Sequence, residues 1–193
     1  MFGGGAVVQR LREGRDVVVR SADIDRLAAR PRDNGGGYLV PAFVRLGAPP
    51  GDATARGAIV GLTRGSSAAL VARAALESIA DQSADLLTAM EADAQLTLRA
   101  LRVDGGVTVD AALMQFQCDL LRVPVIRPRI TETTALGTAF LAGLAVGFWT
   151  DRAELARLTC REKIARPRAP HPALKKLQRD WLRSVERTNG WAQ

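Results

Sequence analysis

The sequence predicts an α/β layered fold built on a small sheet. Three observations carry this. Short apolar runs alternate with longer stretches of helical period, as at Ala58–Leu62 followed by residues 67–92. A strand-like run ending at Leu101 and Val103 breaks at Asp104-Gly105-Gly106 and restarts as a helix with Leu113, Phe116 and Leu120 on one face. Apolar residues make up 47% of the 193 residues, enough for a packed core, yet few of them fall into strand runs.

The glycine cluster Gly3-Gly4-Gly5 precedes AVVQRLRE, a short helical pattern. It reads either as a disordered start or as a bend of the kind that suits phosphate or ribose contact. Gly14–Gly37 is polar, contains a helix and ends in the turn Asn34-Gly35-Gly36-Gly37. Tyr38–Phe43 is a short extended segment interrupted by Pro41, and residues 44–56 form a loop rich in Gly and Pro. After the strand Ala58–Leu62, Gly65 and Ser66 lead into a helix over about 67–92. Val71, Ala75, Ile79, Leu86 and Met90 define its buried side, while Glu77, Asp81 and Asp85 read as a solvated face.

The bend at Asp104–Gly106 lets backbone approach a ligand where no Cβ stands in the way, and sets the N–H groups of a helix start beside the gap. Val123–Ile126 is a further strand closed by Pro128. Thr133 or Thr134 caps a helix running to about Phe148, and Gly137, Gly143 and Gly147 imply close packing of another backbone against it. Residues 151–170 are basic and punctuated by proline. Residues 172–188 form a last amphipathic helix, with Leu174, Leu177, Trp181 and Val185 on one stripe and Asn189-Gly190 as its stop.

Charge and cysteine usage exclude several classes. The net charge of +7 resides in residues 152–193, where eleven basic residues face four acidic ones; the first 151 residues balance. No interleaved aromatics mark a stacking surface, so the tail is a solvated back and nucleic acid is not an expected partner. No apolar run reaches membrane-spanning length. Cys118 and Cys160 lack metal-ligand spacing and read as reduced thiols of a cytoplasmic protein. The sole histidine, His171, lies between Pro170 and Pro172 with no nucleophile patterned near it, and reads as a surface residue. Asp104, at a turn, reads as a turn former rather than a catalyst.

Four stretches, YLVPAFVRLGAP, ARGAIVGLTRG, LRVDGGVTVDAALMQFQCDLL and TETTALGTAFLAGLAVGFW, together resemble the carboxyl-terminal domain of the FGGY carbohydrate kinase family, its glycerol kinases more than its sugar kinases. Residues 38–149 carry the resemblance almost without gaps. It implies three regions: a connector with a helix over 1–37, the nucleotide-side domain over 38–149, and a basic tail with an amphipathic helix over 150–193. It also implies an actin-like ATPase (ribonuclease-H-like) fold, a small mixed sheet flanked by helices, and ATP with magnesium as the phosphoryl donor to glycerol.

GAVVQ resembles the family's G-x-x-x-Q turn, which makes Gly5 and Gln9 nucleotide contacts. The D-G-G-x-x-x-N segment places its second glycine on Gly106, after Gly105, and its asparagine on Asp110. Three departures stand out: a carboxylate at Asp110, which accepts hydrogen bonds but cannot donate them; Leu70, where a polar residue is the pattern; and Pro50-Gly51 in place of two aromatics before Asp52.

The family's phosphate-binding turn, catalytic aspartate and glycerol contacts have no counterpart in these residues. No catalytic residue and no metal ligand is therefore assigned. The expectation is an ATP-binding portion that is inactive alone, meets glycerol only through an amino-terminal domain, and joins a complementing chain or a second copy. The other reading is a non-catalytic nucleotide- or protein-binding module derived from a carbohydrate kinase. Gly5 and the Gly105–Gly106 bend are expected to line one half-pocket.

Overall fold

The 27-residue helix α2, Ala68–Ala94, is the axis of the molecule. The computed structural model describes residues 7, 9, 21–47, 51–158 and 161–192. Ser67 caps α2, its hydroxyl accepting from the Leu70 N–H, and Gln95 ends it in a left-handed conformation. Ala72, Ala74, Ala75, Ala80 and Ala84 are buried along it. Small side chains let three neighbours approach: α1 (Ser21–Ala28), α3 (Ala111–Leu121) and strand β1 (Tyr38–Val40). Ile24, Ala28, Leu39, Leu76, Ile79, Leu113 and Leu120 fill the space between them, with Val7 among them.

β1 pairs antiparallel with β2 (Ala58–Val60). A Cβ on Gly61, whose φ is +77°, would fall 2.1 Å from the Gly36 carbonyl oxygen, so only glycine fits there. Leu70, the departure noted above, lays its side chain over Gly35. Leu46 and Asp52 form a backbone bridge in the loop between the strands. Asp52 accepts from the Thr54 N–H and hydroxyl and from the Gly190 N–H, all at 2.7 Å, and these bonds hold its carboxyl down at about 2.

The second sheet has the order β3-β4-β5. β3 (Leu101–Arg102) and β4 (Val125–Pro128) run parallel, with α3 as their crossover. β5 (Arg161–Ala165) adds antiparallel to β4. The sheet is mixed and small, as expected, but β5 lies inside the stretch that reads as basic and proline-punctuated. So does α5 (Arg152–Leu158). Charged residues mask a strand paired at one edge only. α4 (Thr133–Ala145) stops three residues short of the expected Phe148. Its N-cap is Glu132, without a side-chain bond, because the Thr133 hydroxyl donates to Asp104 instead. The glycine argument for α4 is corrected in part. Gly143 packs on the Trp149 ring rather than on another backbone, Gly137 faces open space, and Gly147 lies past the helix end.

The last helix, α6 (His171–Glu186), docks on the β1–β2 side. Trp181 and Val185 close a second cluster with Tyr38, Val40, Ala42, Leu46 and Ala55. The solvated-face reading of α2 is overturned: α6 meets Asp85 through Trp181, and Glu77 is covered in a cavity that Asp25, Asp110 and Phe116 also line. Glu77 and Asp81 are buried and Asp85 is half-buried. Glu77 pairs with Arg73, and Asp85 accepts the Trp181 indole N–H at 2.7 Å. Helical period alone does not say which of two faces a partner helix will cover. Burial raises all three carboxyls, that of Asp81 furthest, with Glu77 and Asp85 adding repulsion.

A carboxyl raised on folding stabilises the fold fully below the ordinary carboxylate range, and the contribution is lost as pH climbs through the raised value. We expect Asp81→Asn to raise stability at pH 8 by about 1–3 kcal/mol, the range for relieving an unmatched buried polar group. The gain should fade towards pH 4. Urea midpoints at the two pH values measure both.

Candidate functional site

Parallel strands leave their following loops side by side at the carboxyl end of the sheet, where open α/β sheets receive ligands. Here β3 leads into Asp104-Gly105-Gly106 and β4 into residues 129–132. The two loops are tied together. The Gly105 N–H donates to the Thr131 carbonyl at 2.9 Å, and the Thr133 hydroxyl to Asp104. Asp104 therefore serves as a turn anchor, as its position suggests.

Gly105 has φ +86° and ψ 166°, a backbone region essentially closed to residues with a Cβ. A Cβ built on Gly106 would meet nothing within 4 Å. The fold requires glycine at 105 and leaves open space in front of 106. Both line a cleft of about 440 Å³ between the bend and α2, whose walls include Leu86, Leu87, Val107, Leu113 and Met114.

The bend is not itself a helix start. Residues Gly106–Val109 form a single 3₁₀ turn, with the Thr108 hydroxyl donating to the Gly105 carbonyl. α3 begins only after Asp110. Asp110 is its N-cap: Oδ1 accepts from the N–H groups of Ala112 at 2.7 Å and Leu113 at 2.9 Å. The free N–H groups expected beside the glycines are thus taken by the protein's own carboxylate.

Asp110 is also turned towards α1. Asp25 bonds to it, and burial together with the Asp110 charge pushes the Asp25 carboxyl up to about 6. Two carboxyls at hydrogen-bond distance cannot both be charged cheaply, and here it is Asp25 that is raised. They line a small cavity with Arg73, Glu77 and Phe116, with room for about one water. Asp110 and the glycines therefore lie around different recesses that, among the described residues, share only the Leu113 wall.

Sequence reasoning passed over Asp25. Nothing in the sequence flagged it, since only the structure shows that its neighbours Ile24 and Ala28 are buried. Gln9 is helical and exposed. Gly5 lies outside the described residues, as does any test of its closeness to Gly105 and Gly106. Among the described residues no three His, Cys, Asp or Glu side chains gather to hold a metal ion, and no helix is long and apolar enough to cross a membrane. Cys118 is buried, its thiol donating to the Val123 carbonyl and raised by burial. One apolar face stands open: of α4 only Gly143 is buried, and Leu141, Val146 and Phe148 are 71%, 82% and 74% exposed.

Asp110→Ala should cost about 1 kcal/mol through the lost cap, while Asp110→Asn keeps the cap and the stability. With Asn at 110 the charge that raises Asp25 is gone, so Asp25 should titrate lower than about 6. Carbon-detected NMR of the Asp25 carboxyl reads the difference directly.

Comparison with known proteins places these features. The pattern described as the FGGY family of carbohydrate kinases, C-terminal domain, matches residues 4–146. A glycerol kinase of Trichlorobacter lovleyi is 56% identical over 193 residues, all of this chain and 39% of that protein. One from Dechloromonas aromatica is 55% identical over 192 residues and 38% of its length. The crystal structure of Plasmodium falciparum glycerol kinase with ADP superposes with a TM-score of 0.85 at 29% identity, over 96% of this chain and 37% of that one. A xylulose kinase from Lactobacillus acidophilus shares the fold at TM-score 0.77 and 23% identity, over 95% and 38%. The chain thus spans about two fifths of the length of the curated relatives it matches, and it matches their carboxyl-terminal part.

Proposed function

This chain belongs to the FGGY family of carbohydrate kinases, to its carboxyl-terminal domain, and on that premise we propose that it forms the ATP-binding wall of a glycerol kinase. One observation carries the reading. At Gly105–Gly106 the backbone is bent into a glycine-only conformation, with open space in front of Gly106, at the carboxyl end of two parallel strands. A phosphate chain can approach such a bend to backbone distance. Gly5 and Gln9 are the partners proposed for the nucleotide from the other glycine turn, and Asp110 for its base.

The role of these residues is to bind and orient. ATP supplies the phosphoryl group and magnesium its charge neutralisation. Among the described residues none converges to hold the metal, so the reading assigns metal, general base and glycerol contacts to an amino-terminal domain. The apolar surface of α4 is the face on which that domain, in the same polypeptide or a complementing one, would pack. Transfer of phosphate to glycerol then takes place between the two walls, in the cytoplasm where ATP is plentiful. The Asp25–Asp110 pair adds negative charge beside a polyanion, so nucleotide binding is weak for this design.

The second reading, a binding module without catalysis, draws on that same carboxylate pair. Complementation separates the two. The 193-residue polypeptide should bind ADP in calorimetry and give no glycerol 3-phosphate with ATP, magnesium and glycerol. Adding the amino-terminal domain of a related glycerol kinase should restore turnover; ADP binding without restored turnover favours the module. Gly106→Val should weaken ADP about tenfold, about 1.4 kcal/mol, with an unchanged melting temperature. No ADP binding by the native chain, or no effect of Gly106→Val, overturns the nucleotide reading.

A further inference from the structure

A groove of about 630 Å³ runs between the carboxyl-terminal half of α2 and α6. Ala84, Ala89, Leu182 and Val185 give it aliphatic wall, with Thr88, Gln178 and Asn189 as neutral polar groups. Asp81 and Asp85 form its floor and the exposed Glu186 stands at its mouth. No lysine or arginine is among the described residues that line it. The nearby cations of α6, Lys176, Arg179 and Arg183, are engaged by Asp180 outside the groove.

Asp85 has a partner, the Trp181 indole. Asp81 does not. It is 3% exposed, no hydrogen bond reaches its carboxyl among the described residues, and the charges that act on it are two further carboxylates, Glu77 and Asp85. A buried carboxylate in like-charged company costs stability, and the groove that it lines is open to a compensating cation. The protein as a whole carries +7, so bulk electrostatics repel the cation that this floor would accept.

We infer that the groove between α2 and α6 is a binding site for an aliphatic diamine, one ammonium on Asp81 and Asp85 and the second at Glu186. The chemistry selects this class. An ammonium donates three hydrogen bonds from one compact charge, which suits a floor of two carboxyls. The methylene stem matches the alanine and leucine walls, and a second charge matches the acid at the mouth. A divalent metal is disfavoured, because no three ligating side chains converge there among the described residues. The site is separate from the nucleotide wall, so it stands or falls independently of the kinase reading.

The test titrates the full 193-residue chain with 1,4-diaminobutane, following the Trp181 indole N–H by NMR, since that proton is bonded to the floor. Saturable one-to-one binding is expected. Asp81→Asn, which retains the shape of the side chain and should fold at least as stably, is expected to weaken it about tenfold or more. Glu186→Gln should weaken it less, n-butylamine should bind more weakly than the diamine, and 1,4-butanediol should not bind. A signal that never saturates, an affinity untouched by Asp81→Asn in a variant shown folded by circular dichroism, or an equal response to magnesium chloride would each overturn the proposal.

Discussion

Everything in the fold follows from how closely other elements can approach α2. Its five buried alanines remove the bulk that would keep α1, α3 and β1 at ordinary helix-packing distance. That closeness sets Asp25 against Asp110, brings the Gly105–Gly106 bend over the α2 flank, and lets α6 seal the opposite side. The two recesses and the groove are gaps left where alanine meets larger neighbours.

The electrostatics invert what composition implies. The excess positive charge sits on the tail and faces water, while the interior holds negative groups: Glu77, Asp81 and, half-buried, Asp85 along α2, and Asp25 with Asp110 across the α1–α3 contact. Glu77 pairs with Arg73. Burial raises the carboxyls of Glu77, Asp81, Asp85 and Asp25, so their folded-state contribution to stability weakens as pH climbs. Residues that weaken a fold in this way and yet remain buried tend to mark surfaces where something binds.

Most of the architecture was legible because it rests on local chemistry. The long helix, the hairpin glycines, the strand–bend–helix unit and the amphipathic stripe around Trp181 announce themselves through period, caps and turns. What escaped depends on partners distant in sequence. Nothing within residues 151–170 says that Arg161–Ala165 will find β4, and nothing on α2 says that the side bearing Glu77, Asp81 and Asp85 will be covered. The bend itself was readable as a ligand-facing turn; the 3₁₀ turn that separates it from the helix, and the use of Asp110 as that helix's own cap, were not. Asp25 was invisible because a lone acid on a short helix looks solvated until its neighbours are known.

The loop between β1 and β2 is fastened late. Asp52 is held by the Gly190 N–H, 138 residues downstream, and the Thr54 carbonyl by the N–H of Ala192. During vectorial synthesis the ribosome makes the loop long before it makes either clasp. Until Trp181 and Val185 have emerged, Val40, Ala42 and Ala55 have no roof over them, and the nascent chain must carry that half-built cluster in the open.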